Sequence, residues 1–192
     1  MNRYVVKIGI LLILFIIPTH KALSANYNSS PERVAELYLS SWQKSEIKVA
    51  ISYIHPEALS AFRKMFIDVA DEMIKNNKNP SGLYGVLGVK DFEEAKKLSS
   101  QEFCTNFLST IFEMQPNLKK IQNESKYQIL GSVKESDNLC HVVYRITANI
   151  NGANITMVKI QSVMKTGNHW GALFDKNIQD MGAMVRNKLL SQ

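Results

Sequence analysis

The sequence predicts an α+β fold: helices packed on a curved antiparallel sheet of about four strands, with an extra C-terminal helix. Residues 127–134, 139–150, 153–165 and 169–174 are four runs with strand character. Turn sequences separate them, namely Glu135-Ser136-Asp137-Asn138, Asn151-Gly152 and Thr166-Gly167-Asn168. The residues before these runs have helical periodicity, and a sheet this small needs helices over one face. We find no internal repeat, so residues 25–192 are predicted to form one domain.

The first 24 residues have the layout of a cleaved secretory signal peptide. Arg3 and Lys7 are basic, residues 8–17 are an apolar run, and small residues follow in Ala22-Leu23-Ser24-Ala25. The run is too short to cross about 30 Å of hydrocarbon, so we predict no membrane span in the mature chain. An uncleaved anchor is the alternative, because valines at positions 5 and 6 extend the run.

Export would place the protein in the periplasm or outside the cell. The formal charge is +6, and removing residues 1–24 removes Arg3, Lys7 and Lys21 and no acid, which leaves +3. The remaining cations are scattered, whereas a nucleic-acid site needs a basic stripe with interleaved aromatic residues. We therefore predict no nucleic-acid partner.

The two cysteines, Cys104 and Cys140, both lie in the predicted mature chain. An oxidising compartment allows a disulfide between them, provided that the fold brings their Cα atoms within about 7 Å. The alternative is two separate buried thiols. Neither has another Cys or a His nearby in sequence, so we predict no metal site and no cofactor.

Start signals and apolar spacing predict the helices. Ser30-Pro31-Glu32 begins the first, a short one follows Ser45, and a long one spans about 56–75. We predict a loop over 76–87, where the glycines at 82, 85 and 88 do not form a phosphate-binding motif. Two capping boxes then begin helices at Asp91 and Ser99, another turn or two starts at Pro116, and Asp175 caps the C-terminal helix.

The strand 139–150 alternates between apolar and polar positions. Its even residues are Cys140, Val142, Tyr144, Ile146, Ala148 and Ile150, so one side is predicted to face the core. In the following strand, a two-residue turn puts Ile155 and Met157 on the core side but also Lys159 and Gln161. We expect a bulge to shift this register, or both sheet faces to be covered far from the turn. Either would bend the sheet and enclose a pocket.

Parts of the chain resemble NTF2-like proteins. The resemblance rests on residues 34–42, 50–54 and 55–59 and on the turn Gly167-Asn168-His169-Trp170, which leads into a Trp-bearing last strand. It covers most of 31–174 and implies a cone in which helices lie in the hollow of a curved sheet. The added helix between Asn76 and Lys120 and the tail after Asp175 depart from that pattern. The superfamily includes isomerases, dehydratases, transport factors and exported proteins of unknown role.

Four aromatic side chains are candidates for ligand binding. Tyr38 and Trp42 fall on one face of the first helix, and Tyr144 and Trp170 fall on the sheet. Large aromatic groups with a polar tip suit ligands that are partly apolar and partly polar. The alternative is that each is a core residue.

Catalytic residues are harder to identify. His141 and Arg145 share one strand face, but it is the face opposite the predicted core, which favours exposure to solvent. No carboxylate lies on the predicted core faces of the strands, and no histidine pair has zinc-site spacing. We therefore predict no catalytic residue and lean against an enzyme.

Three functions fit the sequence. The first is an exported, non-enzymatic module that binds a small apolar ligand or a protein partner, with a homodimer possible. The second is an isomerase or hydratase acting in the pocket, which an open cavity holding an ionisable side chain would favour. The third is a component or inhibitor of an envelope assembly, which a filled hollow and an exposed apolar patch would favour.

Overall fold

The structure is a computed structural model that describes residues 30–150 and 152–175, together with Met184 and Asn187. It confirms the α+β fold. Seven helices in the described part precede the sheet: α1 Pro31–Gln43, α2 Ile47–Ser52, α3 Pro56–Lys75, α4 Ser81–Leu87, α5 Phe92–Lys97, α6 Ser100–Glu113 and α7 Pro116–Glu124. The predicted leader and the predicted helix after Asp175 lie outside the described residues.

The sheet has four antiparallel strands in the order β1-β2-β3-β4. They are β1 Lys126–Lys134, β2 Leu139–Ile150, β3 Ala153–Thr166 and β4 His169–Ala172. All four predicted strands are present, and only the last is clearly shorter than expected, because β4 ends at Ala172. Within the described residues, no helix has the length and apolar character needed to cross a membrane.

Two helix starts follow the predicted capping chemistry. The Ser30 side chain accepts a hydrogen bond from Arg33 N at 3.3 Å, and Pro31 follows as the first helical residue. Ser99 and Glu102 form a reciprocal capping box at the start of α6. These caps satisfy N–H groups that a helix cannot bond internally.

The prediction of a loop over 76–87 is wrong in its second half, which forms α4. Two glycines disfavour a helix there on intrinsic propensity. Burial outweighs that cost, because Leu83 and Leu87 are almost completely removed from solvent. The helix ends at Gly88, whose φ of 68° is left-handed and favours glycine.

A cluster of phenylalanines forms the core between α3 and α6. Phe66 packs on Phe107 with ring centroids 4.6 Å apart, and Phe62 packs on Phe107 at 5.4 Å. Phe174, just after β4, lies 5.1 Å from Phe62. This cluster packs the end of the sheet against α3. Helix α1 covers the middle of the sheet.

Neither alternative expected for the β2–β3 hairpin is correct. Its register runs without a shift from Leu139 opposite Met164 to Ile150 opposite Ala153. The outer face is also uncovered, because Val158 is 60% and Ile160 is 58% exposed. Ile155 and Met157 do share the inner face with Ala148 and Ile146 as predicted, since those residues are opposite one another.

The irregularity lies in β1 instead. The pairing of β1 with β2 shifts between Ile129 and Gly131, which is a β-bulge. Before it, Ile129 is opposite Tyr144; beyond it, Ser132 is opposite Val142 and reaches the Glu32 carboxylate of α1. That hydrogen bond is the largest cause of a lowered pKa at Glu32. The bulge therefore curves the edge of the sheet around α1.

The α2–α3 connection is bonded directly to β4. His55 N donates to Ala172 O at 2.9 Å, and Ala172 N donates to Tyr53 O at 2.8 Å. The two segments approach so closely that a Cβ on Gly171 would lie 2.6 Å from His55 Cα. This seam holds the helical layer at one end of the sheet.

Candidate functional site

A cavity of about 250 Å³ lies between α1 and the inner face of the sheet. Helical spacing places Tyr38 and Trp42 one turn apart over the strands, and strand alternation turns Tyr144 toward them. Its lining is mostly apolar and includes residues from α1, α6, α7, β1, β2 and β3. The lining residues are Tyr38, Leu39, Trp42, Leu108, Ile111, Phe112, Gln122, Tyr127, Tyr144, Ile146, Lys159, Gln161 and Asp175.

Three of the four predicted ligand-binding residues meet at this cavity, namely Tyr38, Trp42 and Tyr144. Trp170 does not. It is opposite Lys165 at the far end of β3 and lines a separate pocket with His55. The sequence predicts that Trp170 lies on a strand. It does not show which end of the sheet that strand reaches, because this depends on the length of β4.

Trp42, one of the residues that line the cavity, carries an unsatisfied donor. Its side chain is 7% exposed, and its indole Nε1 has no hydrogen-bond partner among the described residues. The ring packs edge-on to Tyr38 at 6.0 Å and tilted on Phe112 at 5.3 Å. Gln122 Nε2 donates to Trp42 O at 2.7 Å and so ties α7 to the end of α1. A buried N–H without an acceptor is costly, and a bound acceptor group would remove that cost.

Three tyrosines of the cavity are held in their neutral form. Burial is the main cause of a raised pKa at Tyr38, Tyr127 and Tyr144, and the negative charge of Asp175 raises each pKa further. The Trp42 indole N–H, which approaches the Tyr38 oxygen without reaching normal hydrogen-bond geometry, opposes part of the rise at Tyr38. Neutral phenols remain hydrogen-bond donors over the whole physiological pH range.

Asp175, Lys159 and Gln161 are functional candidates that the site prediction did not include. Asp175 lines the cavity, although its sequence position indicated only a helix cap. Lys159 and Gln161 line it from β3, and Lys159 has no ion-pair partner among the residues that the structure describes. The alternation of β3 predicted that Lys159 and Gln161 face the core side of the sheet, and this is the sequence signal that could have identified them as lining residues.

Gln161 is buried and supports the wall of the cavity. Its Nε2 donates to Leu173 O at 2.7 Å and to Ser162 O at 2.9 Å. The side chain therefore joins β3 to the segment that leads from β4 to Asp175. A change at Gln161 is expected to move Asp175 relative to the tyrosines.

Of the two alternatives for Cys104 and Cys140, the structure shows separate thiols: both are free and buried, and no bridge joins them. Cys104 lies on α6 with its Sγ 3.9 Å from Leu59 O of α3, and Cys140 lies on β2 between Lys134 and Val163. Burial raises the pKa of Cys104 to about 12, so this thiol is protonated and unreactive.

His55 and His141 have structural partners. His55 caps α3, because its Nδ1 accepts from Glu57 N at 3.2 Å, and its Nε2 lies 2.5 Å from Thr166 Oγ1. His141 lies on the outer face of β2 beside Glu135 and Ser162. Arg145 is also on that face and donates to Gln128 Oε1 at 2.8 Å. The outer position predicted for His141 and Arg145 is thus confirmed.

Comparison of the chain with protein-family models, with curated proteins and with solved structures finds no match. The functional argument therefore rests on the geometry of the cavity.

Proposed function

We propose that the cavity binds a small, mainly apolar ligand that carries a hydrogen-bond acceptor, and that Trp42 Nε1 donates to this acceptor. The observation that carries the proposal is the buried, unsatisfied indole N–H of Trp42, a residue that lines an apolar cavity. Buried polar groups in native proteins nearly always have a partner, and exceptions are often functional.

The size of the cavity supports a small ligand. An engineered apolar cavity of about 150 Å³ binds benzene, whereas sites for drug-sized ligands begin at about 300 Å³. A volume of about 250 Å³ lies between these limits. A molecule of one or two rings, or a short branched chain, fits this range.

The polar groups support an acceptor on the ligand. Trp42 Nε1 and the Lys159 ammonium are donors only, and the neutral tyrosine hydroxyls are able to donate as well. Asp175 is the single acidic group among the lining residues, and its charge disfavours an anionic ligand nearby. A neutral carbonyl or ether oxygen satisfies the donors without opposing Asp175.

We expect the bicyclic ketone α-tetralone to bind roughly tenfold more tightly than tetralin, its hydrocarbon counterpart. The reason is one hydrogen bond to a donor that is otherwise unsatisfied, worth about 1–1.5 kcal/mol. In Trp42→Phe we expect the two affinities to agree within about twofold, because the donor is gone. Equilibrium titration followed by calorimetry gives both ratios.

The ratio of the two affinities reports the hydrogen bond alone, because the loss of indole volume in Trp42→Phe weakens the packing of the ketone and of the hydrocarbon equally. Trp170→Phe is the matched control, since Trp170 lies outside the cavity. It should keep the wild-type ratio. Equal affinities in the wild-type protein, or an unchanged ratio in Trp42→Phe, would contradict the proposal.

We also propose that the protein is exported, with residues 1–24 removed, and that it belongs to the NTF2-like superfamily. The leader layout supports export. Helices on one face of a curved four-stranded antiparallel sheet support the superfamily. Mass spectrometry of the protein recovered from producing cells should identify Ala25 as the first residue; an intact leader would argue against export.

The ionisable groups in the cavity favour a second candidate, an isomerase or hydratase. Asp175 would act as a base on a carbon next to a carbonyl, while neutral Tyr38 or Tyr144 would donate to the carbonyl oxygen. Deuterium exchange into α-tetralone in D₂O, followed by NMR, tests this role. Exchange that is catalysed by the protein and abolished in Asp175→Asn would favour the enzyme. Exchange no faster than in the absence of protein would contradict catalysis and leave only the binding function.

A further inference from the structure

The cavity has a buried base and a partly exposed rim. Tyr38 of α1 lies at the base and is 3% exposed. Ile146, Lys159 and Asp175 are partly exposed at the rim. Ile146 is opposite Met157, which is 40% exposed on the same face of the sheet. The cavity and Met157 therefore form one apolar surface that the described elements leave partly uncovered.

The chain leaves the described part of the protein at this surface. Asp175 is the last residue before a gap, and it lines the cavity. Leu173, two residues earlier, is bonded to β3 through Ser162 O and the Gln161 side chain. The tail, which we define as residues 176–192, therefore begins at the rim of the cavity. Its covalent attachment there gives it a high effective concentration, which favours it over any separate partner.

The sequence of the tail is amphipathic. Its apolar residues recur at i, i+3, i+7 and i+11, which places them along one side of a helix. We call these four residues the apolar stripe: Ile178, Met181, Val185 and Leu189. The stripe extends over about 16 Å at 1.5 Å per residue. That length is sufficient to cross a cavity of about 250 Å³.

Two described residues of the tail show which side faces water. Met184 and Asn187 are both helical and exposed, and Met184 is 72% exposed. In a single helix through the tail, the apolar stripe lies roughly 135° around the axis from the mean direction of these two residues. The stripe is therefore turned away from the exposed side.

We propose that the tail forms a helix whose apolar stripe packs over the cavity and closes it. An apolar stripe needs a surface to pack on, and the nearest one is the rim at which the tail begins. A ligand then enters and leaves only when the tail is displaced, so the tail sets the rate of exchange. This last consequence rests on the proposed binding function, whereas the packing of the tail does not.

Quenching of Trp42 fluorescence by acrylamide tests the packing without any ligand. Trp170→Phe leaves Trp42 as the single tryptophan. In this background, Val185→Asp should raise the quenching constant roughly threefold, because an unpaired charge is too costly to bury under the stripe. Met184→Asp is the matched control, since the adjacent Met184 is exposed and lies outside the stripe. It should leave the constant unchanged.

A milder variant covers the case in which Val185→Asp does not fold. Val185→Ser should raise the quenching constant less than Val185→Asp and in the same direction. Equal quenching in Val185→Ser, Met184→Asp and the background protein would overturn the proposal. An equal rise at positions 184 and 185 would also overturn it, because only one of them belongs to the stripe.

The dissociation rate of α-tetralone, measured by stopped-flow fluorescence, tests the exchange. It should rise about tenfold in Val185→Asp, since opening the site acts mainly on dissociation, and stay unchanged in Met184→Asp. If α-tetralone binds to none of these proteins but Val185→Asp alone raises the quenching, the binding function fails and the packing of the tail is supported. Equal dissociation rates in the two variants would overturn the control of exchange by the tail.

Light scattering identifies other partners of the tail and of the cavity. We expect the wild-type protein to be a monomer, because the tail packs on its own chain. A dimer that Val185→Asp dissociates and Met184→Asp does not would overturn the proposal in favour of a tail that covers the cavity of a second copy.

Discussion

Gly171→Ala is expected to lower the free energy of unfolding by about 3 kcal/mol. The added Cβ would lie 2.6 Å from His55 Cα and 2.8 Å from His55 N. His55 N is held by its hydrogen bond to Ala172 O, and the imidazole of the same residue is held by Thr166. Overpacking of this kind typically costs about 1–3 kcal/mol, and backbone atoms that cannot rotate away place the change at the upper end. Urea denaturation measures the loss.

Gly85→Ala is the matched control for Gly171→Ala. Apart from its chain neighbours and the backbone of its own helix, no atom lies within 4 Å of the position that a Cβ on Gly85 would occupy, and the residue is inside α4. Alanine has the higher helix propensity, so this variant should gain about 0.5–1 kcal/mol. A Gly171→Ala protein as stable as the wild type would show that α2, α3 and β4 are not held together as described.

The stability of the protein is expected to fall steeply above pH 10. In the unfolded chain the phenols of Tyr38 and Tyr144 ionise near their ordinary pKa of about 10, whereas burial raises both pKa values in the folded state. Above pH 10 the unfolded state therefore binds fewer protons, and the free energy of unfolding falls by about 1.4 kcal/mol per pH unit for each tyrosine. Below pH 10 this contribution is fully present.

Ultraviolet absorbance of tyrosinate, recorded with circular dichroism, measures both events. We expect the buried tyrosines to ionise together with the loss of structure. In Tyr144→Phe the free energy of unfolding should fall less steeply above pH 10, by the contribution of one tyrosine, about 1.4 kcal/mol per pH unit. Asp175→Asn should move the ionisation to lower pH, because the nearby negative charge is removed. Ionisation of all tyrosines near pH 10 in the folded protein would contradict their burial.

Much of the fold could be predicted because local patterns and tertiary packing agree. The alternation of β2 predicts its buried face correctly, with Val142 and Tyr144 inside and Arg145 exposed. The i, i+4 spacing of Tyr38 and Trp42 likewise places both at the cavity. In these elements one periodicity decides which side chains meet.

The remaining features depend on contacts that a local pattern does not contain. Helix α4 forms despite its glycines because Leu83 and Leu87 are buried by distant residues. Asp175 reaches the cavity only because the segment after β4 stays bonded to β3, where Gln161 donates to Leu173 O. Val158 and Ile160 stay exposed because no described element covers the outer face of the sheet, which the sequence does not indicate.

The most direct test of the central claim is the indole N–H resonance of Trp42 in a ¹H–¹⁵N spectrum during titration with α-tetralone. The chain has two tryptophans, and Trp170→Phe assigns the pair. We predict that the Trp42 indole proton moves downfield as it donates to the ketone, that tetralin does not reproduce the shift, and that Trp170 stays in place. A stationary Trp42 resonance at saturating ketone, or a shift confined to Trp170, would contradict the account.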